Sequence, residues 1–371
     1  MAGELLERLD LDALLLFGAS SEARMGQADI YWLSNFAGMR ENYLLFPRRG
    51  DPVLFVQSHN HVPQARQLSV LPVEPGGPGG TWPDVGDRVG ERLRQCRFGR
   101  IGLVGLLPNL VLERLTAAVP AATFTDVTRA YRVMRVSKSA EELEWIARGA
   151  QWTDAAHRAL AEQARPGMLE HELMELVLTA FPAALGEAQV AFLGSTSMGD
   201  PDRCVPAQFP TDRRVESGDL FFTELSIAFG CYGGQSLRTF TLGEPSPEVA
   251  RMHQLALQLF DATCRALRPG VSLDQVLATS DLAREAGYGM VDALAHGWCI
   301  GVLPPVVRSR AQPWAPTGNE WVFEAGQTIV VQPNVTTSDE RLGVQVGDLC
   351  LVTDSGAKPL HGFRRELIVI E

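Results

Sequence analysis

The sequence lacks the features that tie a protein to nucleic acid, to a membrane or to the secretory pathway. Its 44 acidic residues outnumber its 33 Lys and Arg residues, and the net charge of −11 disfavours nucleic acid and anionic membranes as partners. No apolar run reaches the roughly 18 residues that span a bilayer. The N-terminus, MAGELLERLD, has neither the basic start nor the apolar core of a secretory signal. We therefore expect a cytoplasmic protein.

The sequence also has few cysteines, and their spacing does not suggest a metal site or disulfide bonds. The six thiols are scattered and no two form a CxxC pair, which argues against a zinc ribbon and against a disulfide framework. We expect reduced thiols at all six positions, which are Cys96, Cys204, Cys231, Cys264, Cys299 and Cys350.

The chain is long enough to form two domains. Its 371 residues exceed the usual size of one hydrophobic core. Up to about residue 130, short apolar runs bounded by turn residues alternate with a helical segment, 85–96, which is an α/β pattern. From Ser139, which forms a capping-box signature with Glu142, the apolar spacing becomes helical. We predict domains over residues 1–130 and 131–371.

One pattern occurs twice in the second domain. A helix ends at the Arg-Pro-Gly of residues 165–167, and another helix opens near Glu170. About a hundred residues later the Arg-Pro-Gly of residues 268–270 ends a helix, and Ser272 with Gln275 opens the next one. Two interpretations remain open: ordinary helix ends, or an internal duplication of two helices followed by strands.

The segment 218–243 carries the most specific signal, and it reads GDLFFTELSIAFGCYGGQSLRTFTLG. It resembles creatinases, prolidases, Xaa-Pro aminopeptidases and methionine aminopeptidases, which have Gly-Asp, a strand, two metal-binding Asp residues and a Thr-Arg-Thr. Further segments resemble that family in the same order: SKSAEELEWIARGA, VPAQFPTDRRVESGD, AHGWCIG, TIVVQPNV and VGDLCLVTDSG. The resemblance implies an α/β (α+β) chain, with an N-terminal creatinase-like α/β domain and a pita-bread domain that has an internal pseudo-twofold duplication.

The family's two-metal site is largely replaced in this chain. The family holds two divalent ions with two Asp, one His and two Glu. The matching positions here are, in chain order, Glu224, Gln235, His296, Gln332 and Gly347. Two close dications need several anionic oxygens, and neutral amides and a glycine do not supply them. Asp348 cannot substitute for the glycine, because adjacent strand residues point to opposite faces. We predict no dinuclear metal site and no cofactor; a single ion at Glu224 and His296 remains open.

Creatinase, which the resemblance includes, also lacks these metal ligands. It transfers protons with a His from the segment before the Gly-Asp strand, and that position here is Ala207. The creatinase mechanism is therefore not expected to carry over.

The remaining polar residues define a hypothetical catalytic site. We assign proton transfer to His296 and Glu224, and substrate binding to Gln235, Gln332, Arg238 and Trp298. Structural interpretations stay open beside these roles: a hydrogen-bonded His, an edge-strand Glu, inert amides that fill the former metal site, and a structural Arg.

The expected function is a metal-independent hydrolase that cleaves a C–N bond, or transfers a proton, in a small amino-acid-like molecule or short peptide. One alternative is a non-catalytic pseudo-peptidase that binds a ligand. Another, if the later segments are misaligned, is a metal-dependent Xaa-Pro aminopeptidase. The resemblance also implies a homodimer, by analogy alone.

Overall fold

The computed structural model describes residues 1–20, 25–205, 209–309 and 321–371, which form two compact units, Met1–Met134 and Arg135–Glu371. No helix within these ranges is long and apolar enough to cross a membrane.

The first unit is an α/β domain. Its helices are α1 (Ala2–Arg8), α2 (Ala28–Ser34), α3 (Val62–Leu68), α4 (Trp82–Cys96), α5 (Asn109–Ala118) and α6 (Thr128–Val133). Its strands are β1 (Ala13–Gly18), β2 (Asn42–Pro47), β3 (Val53–Val56), β4 (Val73–Pro75), β5 (Arg100–Val104) and β6 (Thr123–Asp126). The described strands form one mixed sheet in the order β4-β3-β2-β1-β5-β6.

Both faces of this sheet are covered, which explains why its central strand is apolar at every position. In β1, Leu14 and Leu16 belong to one buried cluster, whereas Leu15 and Phe17 belong to another. Since successive strand residues point to opposite faces, an uninterrupted apolar run fits a strand between two layers. The predicted α/β character of this domain is confirmed.

The second unit is built around a 9-stranded sheet. Its helices are α7 (Ala140–Gln163), α8 (Glu170–Thr179), α9 (Pro247–Ala266), α10 (Leu273–Leu277) and α11 (Asp281–Glu285). Its strands are β7 (Gly186–Ser197), β8 (Asp219–Phe229), β9 (Tyr232–Leu242), β10 (Gly289–Met290), β11 (Ala293–Cys299), β12 (Gly301–Arg308), β13 (Thr328–Val331), β14 (Asn334–Thr336), β15 (Gly343–Gln345), β16 (Gly347–Thr353), β17 (Gly356–Pro359) and β18 (Ile368–Ile370). Within the described ranges the main path of the sheet runs β12-β11-β13-β16-β9-β8-β7.

Matched hydrogen bonds show that the two Arg-Pro-Gly turns are equivalent. The backbone N–H of Gly167 donates to Val215 O at 2.7 Å, and that of Gly270 donates to Phe323 O at 3.0 Å. Both glycines have positive φ, +97° and +83°, a conformation that disfavours side chains. These matched turns support the interpretation of the repeat as an internal duplication.

Strand β8 connects the core to the candidate site. Phe221, Leu225 and Ile227 pack on one face in a cluster with α7, and Leu220 and Phe222 pack on the other face in a cluster with α9. Glu224 and Ser226 continue the α9-side face, because side chains alternate along a strand. A carboxylate and a hydroxyl are thus directed to the inner surface of the sheet.

Candidate active site

The sheet brings four of the sequence-predicted residues together, although they are far apart in the chain. Glu224 lies in β8, Gln235 in the paired strand β9, and His296 in β11. Gln332 directly follows β13, which lies next to β11, and its backbone N–H donates to Leu294 O at 2.8 Å. These strands are neighbours or near neighbours in the sheet order, so the four side chains meet on one inner face.

The four side chains form a continuous hydrogen-bonded chain. The Nε2 amide of Gln235 donates to Glu224 Oε1 at 2.7 Å and to Gln332 Oε1 at 3.0 Å. The same Gln332 oxygen lies 3.2 Å from His296 Nε2. The other ring nitrogen, His296 Nδ1, lies 3.1 Å from the carbonyl oxygen of Gly297. Both His296 nitrogens therefore face acceptors, an arrangement that favours gain of a proton.

Asp292 is a member of the site that sequence reasoning missed. Gln332 Nε2 donates to Asp292 Oδ2 at 3.2 Å, so a second carboxylate joins the chain. Asp292 directly precedes β11, the strand that carries His296, and it has a positive φ of +62°. Its place before that strand is the one sequence signal that could have identified it.

Burial places the dissociable proton on Glu224 at neutral pH. Desolvation raises the pKa of Glu224 from 4.5 to about 8, and the charge of Asp292 adds to the rise. Desolvation lowers the pKa of His296, while the Gly297 carbonyl, Asp292 and Gln332 act in the opposite direction. At neutral pH the Glu224 carboxyl is therefore protonated and His296 is neutral, and the two are joined through Gln235 and Gln332.

Trp298 also belongs to this site, as the sequence predicts. It follows His296 by two residues in β11, so it shares the same face, and the two rings lie 5.8 Å apart at 63°.

The side chain of Arg238 lies outside this site, so its assignment to substrate binding needs correction. It lies three residues after Gln235 in β9, so its side chain points to the opposite face. Its guanidinium is fully buried and donates to Asp348 Oδ1 at 2.8 Å and to backbone carbonyls that include Gly347 O at 2.7 Å. These contacts give Arg238 the structural role that had stayed open.

Gly347, where the resemblance places the last Glu of the family, has no room for a side chain. A methyl group on Gly347 would lie 2.7 Å from Val331 O, 2.9 Å from Leu237 Cδ1 and 3.0 Å from Gln332 Cα. The neighbouring Asp348 does not replace it, because its oxygens pair at 2.8 Å with Arg238 and at 2.8 Å with Arg365.

The donor set does not fit a pair of divalent ions. No group of three His, Cys, Asp or Glu side chains in the described ranges is placed to hold a metal ion. One oxygen of Glu224 already accepts from Gln235, and the two glutamines contribute only neutral oxygens. The absence of a metal remains a prediction. Ala207, the position of the creatinase histidine, lies outside the described residues.

Comparison with known proteins identifies the family. The model of metallopeptidase family M24 matches residues 144–354, and that of the creatinase/prolidase N-terminal domain matches residues 2–137. The chain belongs to metallopeptidase family M24. The resemblance seen in the sequence and the pita-bread architecture that it implied are therefore confirmed.

Curated M24 relatives are named as peptidases. "Probable dipeptidase PepE" of Mycobacterium tuberculosis is 28% identical over 250 residues, which are 66% of this chain and 63% of that protein. The match thus spans less than two thirds of that relative. The Xaa-Pro dipeptidase of Pyrococcus furiosus is 23% identical over 343 residues, 92% of each chain.

Solved structures share the fold over the whole length. The prolidase from Pyrococcus horikoshii OT3 has a TM-score of 0.83 and 22% identity, covering 99% of this chain and 98% of that one. The X-Pro aminopeptidase from Thermotoga maritima has a TM-score of 0.81 and 20% identity, covering 100% and 99%. At these identities the likeness establishes the fold alone.

Proposed function

We propose that this M24 chain hydrolyses a C–N bond in a small amino-acid-like molecule or short peptide without the family's pair of divalent ions. The observation that carries the proposal is the continuous chain of hydrogen bonds from Glu224 through Gln235 and Gln332 to His296. A site that had only lost its metals would be expected to fill with apolar side chains as well. Here the former ligand positions keep polar groups that are ordered by one another.

Hydrolysis requires one proton to leave the attacking water and one to reach the leaving nitrogen. His296 accepts a proton from the attacking water while the water oxygen bonds to the substrate carbon. Glu224 donates its proton to the nitrogen as the C–N bond breaks. After the reaction His296 is an imidazolium and Glu224 is a carboxylate. Both return to their starting protonation states by proton exchange with water.

The glutamines fix the geometry of this exchange. Gln235 holds one oxygen of Glu224, so the other carboxyl oxygen is the one that donates. The 3.2 Å contact of His296 with Gln332 is at the long end of hydrogen-bond distances, so a water or substrate atom can replace it.

The family match favours a second candidate, a conventional metal-dependent dipeptidase. It accounts for the names of the relatives and for the retention of Glu224 and His296 at ligand positions. It does not account for the amides at Gln235 and Gln332 or for the lack of space at Gly347.

One experiment separates the candidates. Hydrolysis of Xaa-Pro dipeptides, amino-acid amides and ureido acids is measured with a chelator or with Mn²⁺ in the wild type, Glu224→Gln and His296→Gln. Exposed Glu324→Gln and His59→Gln are the matched controls. We expect turnover in chelator that falls at least roughly 100-fold in the two site variants. Turnover that appears only with Mn²⁺ supports the metal-dependent dipeptidase, and ligand binding without turnover supports a pseudo-peptidase.

A further inference from the structure

A second group of polar atoms lies beside the Glu224–His296 chain and takes no part in it. Three atoms converge on Gly233 of β9, at the place where a side chain would begin. A methyl group there would lie 2.3 Å from Gln189 Oε1, 2.4 Å from Ser226 Oγ and 3.1 Å from Trp298 Nε1. The glycine therefore permits three polar side chains from three other strands to approach one point.

None of these atoms has a hydrogen-bond partner among the residues that the structure describes. The same is true of Gln235 Oε1, which lies on the same face two residues after Gly233. All four side chains are at least nine-tenths buried, with exposed fractions between 0% for Ser226 and 9% for Gln189. Because an unpartnered buried polar atom costs free energy, three of them around Gly233 and a fourth on the same strand face indicate that a ligand supplies the partners.

The chemistry of the ligand follows from which atoms donate and which accept. The amide of Gln189 donates from Nε2 to Cys231 O at 2.7 Å, which leaves its oxygen as an acceptor. The Nε2 of Gln235 is likewise occupied by Glu224 and Gln332, which leaves a second acceptor. The indole of Trp298 can only donate, and Ser226 can do either. A ligand that satisfies all four atoms is a small neutral group with two N–H donors and one oxygen acceptor.

We propose that the Gly233 cluster, defined as Gln189, Ser226, Gly233, Gln235 and Trp298, is a subsite for a neutral carboxamide or ureido group. The two N–H groups of such a ligand bond to the glutamine oxygens, and its carbonyl accepts from the indole and the hydroxyl. A neutral group is favoured because the cluster is buried, and burying a charge there is costly. The inference deepens the proposed function, on which it rests, by giving the substrate a terminal –CONH₂.

Since neighbouring atoms fill the space beside Gly233, the proposal requires one side chain to move when the ligand enters. Gln189 lies where the pairing of β7 with β8 is interrupted, between Ala188 opposite Ile227 and Val190 opposite Ser226. Such an irregularity frees a residue from the sheet pairing. Gln189 is also the most exposed member of the cluster, so we expect its side chain to move as the ligand enters and then to accept from one ligand N–H group.

The test titrates acetamide into the protein and follows the indole N–H resonances of its 7 Trp residues, with Trp298→Phe identifying the signal of Trp298. N,N-dimethylacetamide is the matched probe, since it keeps the carbonyl but has no N–H. We expect acetamide to shift the Trp298 signal saturably, with a dissociation constant at least about 10-fold lower than that of dimethylacetamide. Methylammonium should bind more weakly than acetamide.

Variants of the cluster confirm the location. Gly233→Ala places a methyl group against all three atoms and should abolish the saturable shift, whereas Gly3→Ala, with no neighbour within 4 Å, should leave it unchanged. Ser226→Ala should weaken binding roughly five-fold through loss of one hydrogen bond.

Three results overturn the inference: no saturable shift in the wild type, equal affinity for the two amides, or tighter binding of methylammonium. These readouts need no turnover. Acetamide binding without hydrolysis of any substrate contradicts the proposed function alone, and hydrolysis without acetamide binding contradicts the subsite alone.

Discussion

At the scale of single residues, two features define the site: the protonation state of Glu224 and the lack of space for a side chain at Gly347. Glu224 is a carboxyl that the fold keeps protonated, because burial and the nearby Asp292 both oppose its ionisation. Gly347 is a position where neighbouring atoms leave no space for a side chain. Each feature leads to a stability measurement that is independent of any substrate.

The raised pKa of Glu224 predicts how stability depends on pH. The folded pKa of about 8 exceeds the unfolded value of 4.5, so the folded state binds the extra proton between these limits. Stability from this group is therefore lost as pH rises from 4.5 to 8. The unfolding free energy of Glu224→Gln should therefore rise relative to that of the wild type over that window, by up to roughly 5 kcal/mol.

Urea unfolding at intervals from pH 4.5 to 8.5 measures this difference, with Glu324→Gln as the control. A constant difference between Glu224→Gln and the wild type across the window would show that Glu224 ionises normally.

Restoring the family's glutamate at position 347 should not restore its chemistry. Gly347→Glu forces a side chain against Val331 O and the Gln332 backbone, so we expect a loss of about 1–3 kcal/mol in unfolding free energy and no gain of bound Mn²⁺. Denaturant unfolding and elemental analysis measure both, with the exposed Gly199→Glu as control. A stable variant that binds two ions would contradict the geometry.

At the scale of elements, the buried Arg238–Asp348 pair joins β9, β16 and the segment around residue 363. Arg238 donates to Phe363 O at 2.9 Å as well as to Asp348. Arg238→Met should cost about 3–5 kcal/mol, because it leaves a buried carboxylate with fewer partners. Arg238→Met with Asp348→Leu should recover part of that loss in denaturant unfolding. A loss of turnover with unchanged stability would instead support substrate binding by Arg238.

The duplicated turns predict matched glycine effects. Gly167 and Gly270 both have positive φ and no atom within 4 Å of an added methyl group, so the cost of alanine is backbone strain alone. Each substitution should reduce the unfolding free energy by about 1–2 kcal/mol, by similar amounts. Thermal unfolding compares them with Gly199→Ala, which should be nearly neutral because the φ of Gly199 is not positive. Clearly unequal losses would argue against equivalent turns.

Strand alternation explains both what the sequence predicted and what it missed. It correctly directed Asp348 away from the site, and the same parity, applied to Gln235 and Arg238, would have directed Arg238 away as well. Gln189 and Asp292 could not be found in this way. Gln189 lies at an irregularity in strand pairing and Asp292 just outside a strand, and neither position follows from periodicity.

At the scale of the molecule, the chain has the fold of the M24 family, but the side chains at its candidate site differ from the metal ligands that the resemblance implies. The two family matches and the confirmed architecture show an M24 scaffold, which the order of weak motifs was sufficient to predict. The inner face of its sheet, however, carries two amides and a glycine where dications need anions. Under the proposed function, the shared fold gives the place of the chemistry and the side chains decide its kind.

The most direct test of this account is the number of metal ions that accompany activity. Protein equilibrated with Mn²⁺, desalted and analysed for metal should contain well under one ion per chain, and its rate of hydrolysis should equal that of chelator-treated protein. Two ions per chain, lost in Glu224→Gln and His296→Gln together with activity, would contradict it.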